Sequence, residues 1–173
     1  MTGKPSPPGS LGPRSSRVAA ASILVLAASL ALASASRAEV EKLTDIEGIG
    51  PSYAAKLEAA GVATPKQLLE VAGSRTGRQH LSEKTGIGGD QLLRFVNRAD
   101  LSRVKGVGTQ YSDLLEAAGV DTTKELAHRN ADNLLAALTK ANAEKKLVRQ
   151  LPTKTQVEGW IEAAKALPAA VEY

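Results

Sequence analysis

The chain has 173 residues, 43% hydrophobic but only 3% aromatic, and contains no cysteine. That composition excludes a disulfide framework, a thiolate metal site, a catalytic thiol and a collagen-like or wholly disordered chain. The net charge of +4 does not mark a polyanionic partner: Lys4, Arg14, Arg17 and Arg37 precede the first acidic residue, Glu39, and beyond them 18 basic residues face 18 acidic ones.

Residues 1–17 are rich in Pro, Gly and Ser and carry only positive charge, and Val18 to Ala35 has no charged residue. This order of basic region, apolar region and small-residue exit predicts a cleavable signal peptide over residues 1–38. Ala33-Ser34-Ala35 and Ser36-Arg37-Ala38 both offer a small-x-small site, and cleavage after Ala38 is expected, leaving Glu39 as the new terminus. The alternative is an N-terminal membrane anchor, because Val18 to Ser36 approaches the roughly 17–25 residues that a spanning helix needs. In either case the basic residues stay on the cytoplasmic side and the body is exported. The expected location is periplasmic or secreted, or membrane-anchored and facing outward if the segment is retained.

The body repeats itself. Leu43 to Leu68 (LTDIEGIGPSYAAKLEAAGVATPKQL) aligns without a gap on Leu101 to Leu126 (LSRVKGVGTQYSDLLEAAGVDTTKEL) at an offset of 58, with 13 of 26 positions identical. Repeats of this kind are units that bury their apolar faces against one another. In each copy two glycines bracket one apolar residue, Gly48-Ile49-Gly50 and Gly106-Val107-Gly108, which predicts a tight turn with positive φ between two helices. Leu43 and Ile46 (Leu101 and Val104) share one face of a short helix before the turn. Tyr53 and Leu57 (Tyr111 and Leu115) share one face of the helix after it. Gly61 and Gly119 stop that helix as C′ residues. Thr64-Pro65-Lys66-Gln67 and Thr122-Thr123-Lys124-Glu125 open a third helix with a capping box.

The later halves of the copies are less alike. Ser82 to Leu101 holds a small-residue turn at Gly86-Ile87-Gly88, with Asp90 expected as N-cap of a helix bearing Leu92, Leu93, Phe95 and Val96. Leu147 to Leu167 matches it with Trp160 on Phe95 and Ile161 on Val96, but Leu151-Pro152-Thr153 replaces the glycine turn. Between them, Ala131 to Lys140 and Lys145 to Arg149 read as helical, with Asn130 as N-cap. No segment alternates with period two, so no sheet is expected. Phe95 and Trp160 are expected to anchor the two cores or their shared interface.

Ile46-Glu47-Gly48-Ile49-Gly50-Pro51 with Ala54 and Leu57, and Val104-Lys105-Gly106-Val107-Gly108 with Leu114, resemble the helix-hairpin-helix motif of DNA-repair and recombination proteins. Leu43 to Leu167, with the doubled LEAAGV-x-T segment and the late Trp160, is more specifically similar to the bacterial domain-of-unknown-function family numbered 4332, built from paired helix-hairpin-helix units. The expected fold is therefore all-α, with two tandem helix-hairpin-helix units (39–100 and 101–168) packed as one compact helical domain and followed by a C-terminal tail (169–173). The family carries no assigned activity, so the resemblance implies architecture and leaves function open.

In DNA-binding relatives of the wider superfamily, the glycine turn and the start of the next helix present backbone N–H groups to a phosphate. Carried onto this chain, that implies contacts at Gly48, Ile49, Gly50 and Lys56, at Gly106, Val107 and Gly108, and at the middle turn Gly86, Ile87 and Gly88 with Lys84 and Arg94. Asp45 and Glu47 beside the first turn repel a phosphate, whereas their counterparts Arg103 and Lys105 attract one. Arg94, Arg98, Arg103 and Lys105 form a basic run that either lines one side of the molecule with Arg75, Arg78 and Lys84 or is a solvated helix face.

An enzyme is not expected. His80 and His128 stand far apart, and neither a nucleophile elbow nor a strand-borne phosphate loop is present, so no cofactor or metal is implied. The first functional reading is a non-catalytic protein-interaction or structural module contacting an envelope protein, and the alternative is sequence-independent binding of the DNA backbone. A membrane contact is implied only by an uncleaved N-terminal segment.

Overall fold

A computed structural model describes residues 1–3 and 42–173 of the chain, so the apolar stretch Val18 to Ala35 and both expected cleavage sites lie outside the described residues. Among those described, the chain is all-helical with no strand: a single 3-10 turn, Leu43–Asp45, precedes α1 (Pro51–Ala59), α2 (Pro65–Ala72), α3 (Arg75–Thr85), α4 (Gly89–Ser102), α5 (Thr109–Ala117), α6 (Thr123–Ala127), α7 (Ala131–Lys145) and α8 (Lys154–Lys165). No helix among the described residues is long and apolar enough to cross a membrane.

The internal repeat in sequence is a repeat in backbone geometry. Gly48 and Gly106 have φ of +87° and +88°, and Gly61 and Gly119 have φ of +88° and +79°, so each copy spends its glycines at the same left-handed corners. The Ile49 and Val107 amides donate back to the carbonyls of Ile46 and Val104, both at 3.0 Å, closing the two turns identically. At the end of α1, Val62 N–H donates to Leu57 O and Gly61 N–H to Glu58 O. At the end of α5, Val120 and Gly119 repeat the pattern on Leu115 and Glu116, satisfying carbonyls that the helix leaves open. The hydroxyls of Thr64 and Thr122 each accept a 3.2 Å bond from the N3 amide of α2 and α6.

Each copy has its own core. Leu43, Ile46, Ile49, Leu57, Leu68, Leu92 and Phe95 belong to the first, and Leu101, Val104, Val107, Leu115, Leu126, Leu138 and Trp160 to the second. An aromatic pair centres each: Tyr53 meets Phe95 edge-on at 5.3 Å, and Tyr111 lies tilted on Trp160 at 5.0 Å. Helix α2 packs on α3 and α4, α8 packs on α6 and α7, and α4 packs on α5 to join the copies.

The short helix expected before the first turn is a single 3-10 turn. Three local expectations need correction. Gly88, not Asp90, is the N-cap of α4, because two consecutive glycines let the helix begin earlier and leave Asp90 in its first turn, where its charge suits the dipole. Lys145 to Arg149 is not a second helix: α7 runs unbroken from Ala131 to Lys145 and stops at Lys146, which adopts a left-handed C-cap with φ of +52°. Residues 169–173 do not form a free tail, since Val171 is buried in the first core and Glu172 N–H donates to Gly73 O at 2.9 Å.

Candidate binding surface at the glycine turns

The first amides of a helix have no intrahelical acceptor, so the three glycine turns are where this fold offers backbone donors to a partner. They are not equivalent. Helix α1 begins at Pro51, which has no N–H to give. Helix α4 carries Asp90 in its first turn, and its carboxylate competes for the same amides. Helix α5 begins Thr109-Gln110-Tyr111 behind Gly108, with neither a proline, an acidic residue nor a side-chain cap. In all three turns the central residue points inward: Ile49, Ile87 and Val107 are buried, while Gly48, Gly50, Gly86, Gly88, Gly106 and Gly108 are exposed. Any contact by Ile49 or Val107 is therefore through backbone alone.

An open groove of about 390 Å³ adjoins the second turn. Gly106, Gly108, Thr109, Gln110 and Tyr111 form one wall, and Val148, Arg149 and Gln150 of the α7–α8 loop form the other. The Tyr111 hydroxyl reaches across to Gln150 O at 3.3 Å. Lys105 stands exposed beside this turn. Arg149 and Gln150 carry no motif, and only the length of the loop that replaces a glycine turn in the second copy signals them.

The basic run does not form one face. Arg98 is spent inside the molecule: its Nε lies 3.0 Å from Glu116 Oε2 and 2.9 Å from Asp113 Oδ1, and its Nη1 donates to Glu47 O at 2.7 Å. It thus ties the first turn to α5. Arg103 pairs with the buried carboxylate of Asp100 at 2.5 Å and donates to Pro168 O at 3.0 Å. Asp100 Oδ2 in turn accepts from Thr123 N–H at 2.7 Å and Thr123 Oγ1 at 2.9 Å, fixing α6 against α4. Arg78 is buried and bonded to three backbone carbonyls. Lys56, Arg75, Lys84, Arg94 and Lys105 remain exposed, with Arg94 bonded to Gln91 at 2.5 Å.

Burial pushes the Asp113 carboxyl above the usual aspartate range, against the pull of Arg98. Burial likewise raises Asp121, helped by the charge of Glu125. Asp113, with Glu116 and Asp100, was the missing half of the basic run. The signal in the sequence was the change from Ala55 to Asp113 between the copies, which supplies a partner for Arg98. Among the described residues, no group of three or more His, Asp or Glu side chains is placed to hold a metal ion.

The sequence model of the family described as Domain of unknown function (DUF4332) matches residues 47–167. The chain belongs to that family. The match starts at the first glycine turn and ends just past α8, so the DUF4332 region holds all three glycine turns, both aromatic pairs and the groove, and leaves out the opening 3-10 turn of the first copy. No curated protein and no solved structure matches the chain.

Proposed function

We propose that this DUF4332 protein is an exported, non-catalytic binding module of paired helix-hairpin-helix units that contacts another protein in the cell envelope through the groove beside its second turn. The observation that carries this reading is the internal neutralisation of Arg98 and Arg103. With those charges held by Asp113, Glu116 and Asp100, no continuous cationic track follows the hairpins, whereas nucleic-acid backbones demand several cationic contacts at once. The groove is lined instead by two glycines, Val148, the uncharged polar residues Thr109, Gln110, Tyr111 and Gln150, and a single cation, Arg149. Such mixed lining suits a peptide segment that pairs with open amides.

A photo-crosslinking residue in place of Gln110 tests this in exporting cells. A discrete adduct that disappears in Arg149→Glu supports the groove, and the absence of any adduct, with an exposed control site at Glu83 equally silent, rejects it. Amino-terminal sequencing of the exported product tests the signal peptide, with Glu39 expected first.

The second reading, binding of a DNA backbone, draws on the uncapped start of α5 together with Lys105 and Arg149. It requires duplex binding whose log-log salt slope is about −0.9 per neutralised phosphate and which is lost in Lys105→Glu/Arg149→Glu. Our proposal expects no duplex binding even at low salt.

A further inference from the structure

The two copies differ in chemistry at the corner between α2 and α3. Counted from the N-caps Ser74 and Asn130, Arg78 occupies the place of Leu134; counted from the left-handed C-caps Gly86 and Lys146, it occupies that of Leu138. Both leucines are buried core residues. The first copy has thus put a guanidinium, only 6% exposed, where the second keeps a hydrocarbon. A buried cation is costly unless its donors are satisfied, and here the acceptors are all main-chain: Ala72 O at 3.2 Å, Gly73 O at 2.8 Å and Glu172 O at 2.6 Å.

The last of these belongs to a segment arriving from the far end of the chain. Beyond α8 the backbone returns to the first copy, where Val171 enters the apolar core and Glu172 N–H meets Gly73 O at 2.9 Å. Glu172 is therefore held from both sides of its peptide unit, by a carbonyl on its N–H and by Arg78 on its C=O. Gly73 makes room for this: a Cβ there would fall 2.3 Å from Ala170 O, and also 2.5 Å from Leu69 O of its own helix, distances that no side chain tolerates. The equivalent place in the second copy, directly before the N-cap, is Arg129, which turns back to Gly119 O.

A cation aimed at a carbonyl, a carbonyl aimed at an amide, a glycine that admits a passing backbone and a slot for one branched side chain together recognise extended peptide rather than a particular sequence. We propose that the α2–α3 corner is a peptide-binding site for an extended segment with small residues ahead of a valine-like side chain, and that Ala170–Glu172 is its resident, displaceable occupant. The partner is a segment of another protein chain. The resident segment holds on by the Val171 side chain, the two bonds at the Glu172 peptide unit and the Tyr173 hydroxyl beside Asn97 and Glu125, and its advantage is its effective concentration as part of the same chain. The bond from Arg103 to Pro168 O marks the pivot behind it. This site is separate from the groove at the second turn, so the fate of either proposal leaves the other standing.

The probe is a labelled synthetic peptide with the sequence of residues 167–173, added to the full-length chain and followed by fluorescence anisotropy. Wild-type protein should bind it weakly. Val171→Asp, which spoils the resident occupant, should bind it at least about tenfold more tightly, approaching the gain expected when an intramolecular competitor is removed. Val171→Asp/Arg78→Met should lose that gain, as should a peptide carrying Asp in place of its valine. If Val171→Asp retains its helical circular dichroism yet binds no more tightly than wild type, the proposal is wrong. Should that variant unfold, hydrogen exchange on the wild-type chain decides. Exchange of the Glu172 amide well ahead of the α2 and α4 amides supports a displaceable segment, and exchange only with global unfolding overturns it.

Discussion

Arg98 and Asp113 show how a charge that looks free in a sequence is committed by the fold. Asp113 and its neighbour Asp121 are also where the molecule should answer to pH. Each folded carboxyl holds its proton to a higher pH than it does in the unfolded chain. Between those two values the native state binds more protons, so stability falls as pH rises through the window and the penalty persists above it. Asp121 is the cleaner probe, because Asp113 is in direct ion contact with Arg98, whereas Arg129 is only the weakest influence on Asp121. Asp121→Asn should raise the urea midpoint at neutral pH, and that gain should vanish as pH falls through the ordinary aspartate range. A gain that persists at low pH would trace the effect to something other than ionisation. The basic residues were legible by position but not by fate: nothing local to Arg98 announces an acid eighteen residues away, and charge alone does not say which cations meet solvent.

The helices and their corners were far more legible, because they depend on neighbours in sequence. Paired glycines at fixed spacing forecast the turns, and Thr-x-x-Gln and Thr-x-x-Glu forecast the Thr64 and Thr122 caps of α2 and α6. The reciprocal half of each capping box is missing, because Gln67 and Glu125 reach one residue further back, to the Ala63 and Asp121 amides. The end of α7 was not visible, since Lys146 takes a left-handed cap that sequence rules reserve for glycine and asparagine. Four of the five left-handed glycines among the described residues allow strain and crowding to be separated. A Cβ at Gly61 or Gly119 meets nothing within 4 Å, whereas one at Gly48 falls 2.9 Å from Arg98 Nη1 and one at Gly106 falls 3.2 Å from Trp160 Nε1. Alanine at Gly61 or Gly119 should cost about 1 kcal/mol from backbone strain alone. Alanine at Gly48 or Gly106 should cost about 1 kcal/mol more, because a packed side chain must also move. Urea denaturation of the four variants would show this ordering, and equal losses would mean that the neighbours yield freely.

At the scale of the whole molecule, two cores are held together by a few long-range contacts that the sequence could not reveal. Asp100 is the most exposed to test: it is 1% accessible and joins α4 to Thr123 of α6 and to Arg103. Asp100→Ala strands both partners and should cost about 2–4 kcal/mol. Because the only tryptophan, Trp160, lies in the second core, its emission reports that half while circular dichroism reports both. The two probes should unfold together in wild type and separate in Asp100→Ala; coincident transitions in the variant would place the coupling elsewhere. Helix α4 carries a further consequence. It bears Phe95 in the first core and Leu101 in the second, so a single rigid rod sets the angular phase between the halves. One residue inserted between Asp100 and Leu101 would turn the second half by about 100° and advance it by about 1.5 Å, pulling Asp113 off Arg98 and Thr123 off Asp100. Length changes are thus costly along this axle, whereas the α7–α8 connection is longer than its α3–α4 counterpart and shows where the fold has accepted one.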